Sequence, residues 1–117
     1  MTTTSKTDRG ELRGVKKEGP MQVQIKHCYT HAVLFSAEVD AGLSTDELRL
    51  GAAVKLAIKA NAYLANAYLA NAYLANANLA NANLTHADLA RAYLANAYLA
   101  NAYLAGAYLA GANLAGA

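Results

Sequence analysis

The sequence predicts a mainly β chain: a tightly wound coil over residues 61–117, preceded by a β-hairpin and one α-helix over residues 21–60. Three observations carry this. Residues 62–116 are eleven copies of a five-residue unit, Ala-Tyr-Leu-Ala-Asn with small edits. Residues 22–39 alternate apolar and polar side chains in two runs. Residues 45–59 open on a capping signature and continue as an amphipathic helical pattern.

The repeat decides the architecture by elimination. Its first position is Ala throughout, and its third is Leu throughout: Leu64, Leu69, Leu74, Leu79, Leu84, Leu89, Leu94, Leu99, Leu104, Leu109 and Leu114. In an α-helix, successive Leu side chains would step by about 140° and face every direction. In a flat strand, an odd period would send them to alternate faces. A chain that turns a corner every five residues keeps them all on one side. Ala and Leu, two apart, then point inward together and form a narrow structural core. An Ala-rich helix is the alternative that propensity favours, but recurrent Asn and the Gly106, Gly111, Gly116 series weigh against it.

The second position points outward. It is Tyr at Tyr63, Tyr68, Tyr73, Tyr93, Tyr98, Tyr103 and Tyr108, Asn at Asn78, Asn83 and Asn113, and Asp at Asp88. The fifth is Asn except for His86, Arg91 and the late Gly series. Core and corners demand the Ala and Leu, so information about partners is expected in the second and fifth positions.

The segment resembles the pentapeptide repeat family, whose pattern is Ala-(Asp/Asn)-Leu-x-x. The resemblance covers about half the chain and implies a right-handed quadrilateral β-helix with four repeats per coil. The departure is Tyr where the family usually has Asp or Asn; the repeats centred on Leu79, Leu84, Leu89 and Leu114 match strictly. Four repeats per coil would stack residues twenty apart. The expected columns are Tyr63–Asn83–Tyr103, Tyr68–Asp88–Tyr108, Tyr73–Tyr93–Asn113 and Asn78–Tyr98, spaced by ~4.8 Å, within reach of ring contact.

Residues 1–20 are polar, charged and broken by Gly10, Gly14, Gly19 and Pro20; without periodicity they read as a disordered tail. From Met21, Val23 and Ile25 alternate with Gln22, Gln24 and Lys26. Val33, Phe35, Ala37 and Val39 alternate with Ser36 and Glu38. The two runs read as a hairpin joined by Cys28-Tyr29-Thr30-His31. Asp40-Ala41-Gly42 ends it. Ser44-Thr45-Asp46-Glu47 reads as a capping box with Ser44 as cap, and Leu43 and Leu48 hold the staple positions around it. The helix then runs from about Thr45 to about Lys59. Its main stripe is Leu50, Ala53, Val54, Ala57 and Ile58; a weaker one is Leu48, Ala52 and Leu56. Laying one face over the open first coil and the other on the hairpin gives the solenoid the N-terminal cap it needs. The string from Ile25 to Phe35 is similar to caps on some bacterial and phage pentapeptide repeat proteins. The chain stops at Ala117 with no counterpart, and a two-fold end-to-end homodimer through the C-terminal coil is the closed solution.

Composition restricts function. Net charge is +2, and the repeats carry only Asp88 and Arg91, so nucleic acid is not an expected partner. No apolar run approaches the ~20 residues of a membrane span. One cysteine, Cys28, suits a reducing compartment, and the N-terminus lacks a signal-peptide core, so a cytoplasmic location is expected. His27-Cys28-x-x-His31 supplies three potential zinc ligands where a structural site takes four; no metal or other cofactor is expected. His86, Asp88 and Arg91 form the only mixed polar cluster in the repeats, read as variation on an outward surface. No nucleophile–base pair and no concave pocket point to catalysis, so no enzyme is expected. The seven Tyr are the candidate interaction surface for an unknown protein partner, or simply a cover for the thin core. The expected function is a non-enzymatic structural or protein-interaction module. The alternative, which the resemblance implies, is a DNA mimic directed at a type II topoisomerase. That activity needs rows of carboxylates, and the coil offers Asp88 alone; under three coils, it is on the order of 13 Å long.

Overall fold

The computed structural model describes residues 20–117; apart from Pro20, the tail assigned to residues 1–20 lies outside the described residues. The elements in chain order are β1 (Met21–Lys26), β2 (Val33–Val39) and α1 (Asp46–Lys59), followed by the five-residue repeats. β1 and β2 pair antiparallel, Met21 with Val39 through Ile25 with Phe35. The register then slips, and Lys26 pairs with Val33. Leu34 is the extra residue of this β-bulge. The slip moves Val33, expected on the inner face, to the exposed one. The connection closes through His27 N–H to Ala32 O at 2.8 Å and His31 N–H to His27 O at 3.0 Å, with His31 at φ 64°.

After β2 the Asp40 carboxylate accepts the Gly42 N–H at 2.8 Å. The helix cap is Thr45, whose hydroxyl accepts the Leu48 N–H at 3.1 Å. This corrects the expected capping box on Ser44. With the cap one residue later, Leu48 takes the place where Glu47 would have reached back, and Leu43 and Leu48 no longer hold the staple positions. Ala53, Val54 and Ala57 are buried, while Leu56, on the weaker stripe, is 40% exposed.

Each repeat turns a corner at its fifth position. All eleven fifth-position residues, Asn66 to Gly116, have φ between 59° and 74°. At every corner the next first-position N–H donates to the preceding Leu carbonyl, as Ala77 to Leu74 at 3.1 Å. A reversal with positive φ at its third residue is a type II turn, which favours Gly or Asn there. The chain returns on itself every twenty residues: Tyr68 pairs with Asp88, Tyr73 with Tyr93, Asn78 with Tyr98 and Asn83 with Tyr103, all parallel.

The corners and the ladder take the N–H groups of four of the five repeat positions. Position two donates down the ladder, as Tyr93 N–H to Ala72 O at 2.9 Å. Positions three and five donate up it, as Leu74 N–H to Tyr93 O at 2.8 Å and Asn76 N–H to Ala95 O at 2.9 Å. The hairpin and helix complete part of the first coil's edge. Tyr68 N–H donates to Lys26 O at 2.7 Å, and Tyr73 N–H to Glu47 O at 3.1 Å. The approach is close. A Cβ on Gly51 would lie 1.9 Å from the Tyr73 carbonyl oxygen, so helix and coil meet backbone to backbone.

One apolar core runs from Ile25, Val39 and Val54 through the coil. Leu64 to Leu94 are buried to within 2%. Leu99, Leu104 and Leu109 are half-buried, and Leu114 is 40% exposed. The eleven Leu are therefore not an equal set: burial fades along the last coil, where no later repeat in this chain lies over the side chains.

Candidate functional site

The seven repeat Tyr project outward from the ladder, and the twenty-residue return distributes them over four separate columns. Tyr68 and Tyr108 flank Asp88, Tyr98 lies above Asn78, and Tyr103 lies above Asn83. Tyr63 joins no ladder pair, because the chain there is leaving the helix: the Ala62 N–H donates to Ala57 O at 2.9 Å. Only Tyr73 and Tyr93 occupy the same column on successive coils. Their rings stack, with centroids 5.2 Å apart and planes at 24°. Each is 40% exposed, against 60–68% for Tyr63, Tyr98, Tyr103 and Tyr108. The ring pair thus shields itself and still offers an ordered aromatic edge to solvent.

The second position also has a backbone task, and sequence reasoning missed it. The side-chain oxygen of Asn78, Asn83, Asp88 and Asn113 accepts the N–H two residues on, at 3.0–3.1 Å. Tyr cannot do this. Among the described residues, the fourth-position N–H of the Tyr repeats has no protein acceptor. The signal that could have found this is the Asx turn, in which Asn or Asp bonds its own backbone two residues on. The fifth position likewise follows backbone demand rather than partner choice. His86 and Arg91, at φ 60° and 59°, occupy a conformation for which Asn and Gly are better suited.

His86, Asp88 and Arg91 do not converge. The Arg91 Nε–H donates to the Asn71 side chain of the preceding coil at 3.1 Å. His86 and Asp88 instead line a cleft of about 490 Å³ with Tyr68, Tyr108, Asn66 and Gly106; Cys28 and Tyr29 of the hairpin loop form its wall. Gly106 is what leaves room for the imidazole, since a Cβ there would lie 2.2 Å from His86 Cδ2. The His27-Cys28-x-x-His31 motif does not assemble as ligands. His27 Nδ1 accepts the N–H groups of Tyr29 and Thr30, at 3.1 and 3.2 Å. Among the described residues, no three His, Cys, Asp or Glu side chains are placed to share a metal ion. No helix among them is long and apolar enough to cross a membrane.

No curated protein and no solved structure matches the chain. The model of the family described as pentapeptide repeats (8 copies) matches residues 60–92 and 87–117, which is the whole coil. Corner turns every five residues and ladder pairs every twenty agree with that match, and the chain belongs to the pentapeptide repeat family.

Proposed function

We propose that the chain is a non-enzymatic protein-interaction module. In this reading, residues 61–117 form a right-handed, four-sided β-helix, the hairpin and helix of residues 21–60 cap its first coil, and a neutral Tyr-bearing surface meets a protein partner in the cytoplasm. The observation that carries it is the Tyr73–Tyr93 stack, an ordered and half-exposed aromatic pair fixed to a hydrogen-bonded ladder. Rigid aromatic side chains that lose little freedom on binding are favoured at protein interfaces. The near absence of charge from the repeats supports a protein rather than a nucleic acid as partner. Membership of a family of repeat modules agrees with the reading.

The test is affinity capture with the full chain and with the double variant Tyr73→Ser, Tyr93→Ser. The expected result is a partner retained by the wild type and lost by a variant whose circular dichroism is unchanged. Undiminished capture by the folded variant would overturn the reading. The half-buried Leu99, Leu104 and Leu109 and the exposed Leu114 further support an end-to-end homodimer through the last coil. Sedimentation should find twice the chain mass, and Leu114→Asp should return it to one.

A further inference from the structure

We propose that the cleft between Tyr68 and Tyr108 is a binding slot for a guanidinium group, presented as an arginine side chain by a partner protein. The inference rests on the interaction-module reading and names the chemistry the partner brings.

Asp88 is the first observation. Its Oδ1 accepts the Ala90 N–H at 3.0 Å, the task that Asn78, Asn83 and Asn113 perform in their own repeats. Asn would therefore meet the backbone's need at position 88. The negative charge is additional to it, and Asp88 is the one carboxylate in residues 61–117. Among the described residues, no Lys or Arg lines the cleft, and Arg91, three residues away, is turned to Asn71.

The second observation is the column. Asp88 pairs with Tyr68 on one side and Tyr108 on the other. Successive coils lie ~4.8 Å apart, so the two Tyr levels are separated by about 9.6 Å, with a short side chain between two long ones. A cation seated over Asp88 lies between the two coil levels that carry Tyr68 and Tyr108, both of which line the cleft, and so within reach of aromatic rings that attract cations. The slot thus combines a carboxylate floor with two aromatic walls. A guanidinium suits it better than an ammonium, because it is planar, weakly hydrated and stacks on aromatic faces. The His86 ring, admitted by Gly106, and the Cys28–Tyr29 loop close two edges, so the slot takes a side chain rather than a flat surface.

The experiment titrates the ¹⁵N-labelled full chain with the peptide acetyl-Gly-Gly-Arg-Gly-Gly-amide and with its Lys counterpart. The expected result is saturable shifts of the Asp88, Ala90 and Gly106 amides with the Arg peptide, in the millimolar range, and a response to Lys weaker by several-fold. Asp88→Asn keeps the bond to Ala90 and so keeps the fold; it should weaken binding about tenfold or more. Tyr108→Ser should weaken it several-fold, and Tyr98→Ser, on another side, should not. Absence of shifts at 20-fold excess over ~1 mM protein, or shifts that persist in Asp88→Asn, would overturn the slot. An equal response to Lys would overturn its assignment to guanidinium. A captured partner that is lost on changing Tyr73 and Tyr93 but kept by Asp88→Asn would sink the slot and leave the module standing.

Discussion

Gly51→Ala separates the helix's own preference from the demands of its seat. In an isolated helix the change is favourable by about 1 kcal/mol. Here the new Cβ would stand 1.9 Å from the Tyr73 carbonyl oxygen, while real Cβ contacts essentially never fall below 3.0 Å. The difference, 3.0 − 1.9 = 1.1 Å, must come from moving one backbone against another. A gap of ~1 Å forfeits roughly a quarter to a half of the dispersion attraction across a contact. Val54, one turn on from Gly51 and beside it on the helix surface, is fully buried and loses contacts with the shift. The bond from Tyr73 N–H to Glu47 O goes with the movement, at about 0.5–1.5 kcal/mol. Overpacking of this kind costs about 1–3 kcal/mol or more. Set against the propensity gain, the net destabilisation is about 2 kcal/mol. For a chain of this size that lowers Tm by on the order of 6–12 °C. Urea unfolding followed by circular dichroism measures it. A Gly51→Ala protein as stable as wild type, or more stable, would refute the backbone-to-backbone contact.

Three further outcomes follow from the coil. Leu79→Ala should cost about 2–5 kcal/mol, because the site is fully buried, and Leu114→Ala under about 1 kcal/mol, because that side chain is 40% exposed; urea midpoints separate them. Asn81 sits at φ 66°, so Asn81→Ala should lose about 1 kcal/mol and Asn81→Gly almost nothing, both read from thermal unfolding. Tyr98→Asn should stabilise by about 0.5–1.5 kcal/mol, since Asn would supply the Ala100 N–H with the acceptor that Asn78 supplies to Ala80; a lower Tm would show that the exposed ring contributes more than the missing bond.

Much of the fold was legible because a five-residue period is a strong statement about direction. It tells which side chains point inward, and the helix expected over 45–59 is found at Asp46–Lys59. It says little about φ. The fifth position looked free to carry partner information, and it is governed instead by a left-handed corner. The second position looked like surface alone, yet where it is Asn or Asp it also holds the backbone. Contacts across elements were out of reach for another reason. Gly51 inside a helical pattern reads as a mild defect until the Tyr73 carbonyl is seen against it. The Leu34 bulge that turns Val33 outward did leave a mark, since Val33-Leu34-Phe35 interrupts the apolar–polar alternation, but three apolar residues in a row do not say which one is extra. The pairing of His86 with Asp88 in one cleft, without Arg91, depends on where three flexible side chains turn.

The ladder makes core and surface keep different time. The interior recognises a residue by its place in a count of five, whereas a side chain's neighbour on the outside is fixed by a count of twenty. Inserting or deleting one whole pentapeptide between Tyr73 and Tyr93 would leave every remaining Leu facing in and every corner left-handed. It would nonetheless deal each later outward side chain to the next side of the coil, parting the stacked rings and removing Tyr108 from the column of Tyr68. Such a chain can rearrange its outer surface by slippage in a repetitive sequence, without a single substitution and with little disturbance to what holds it folded.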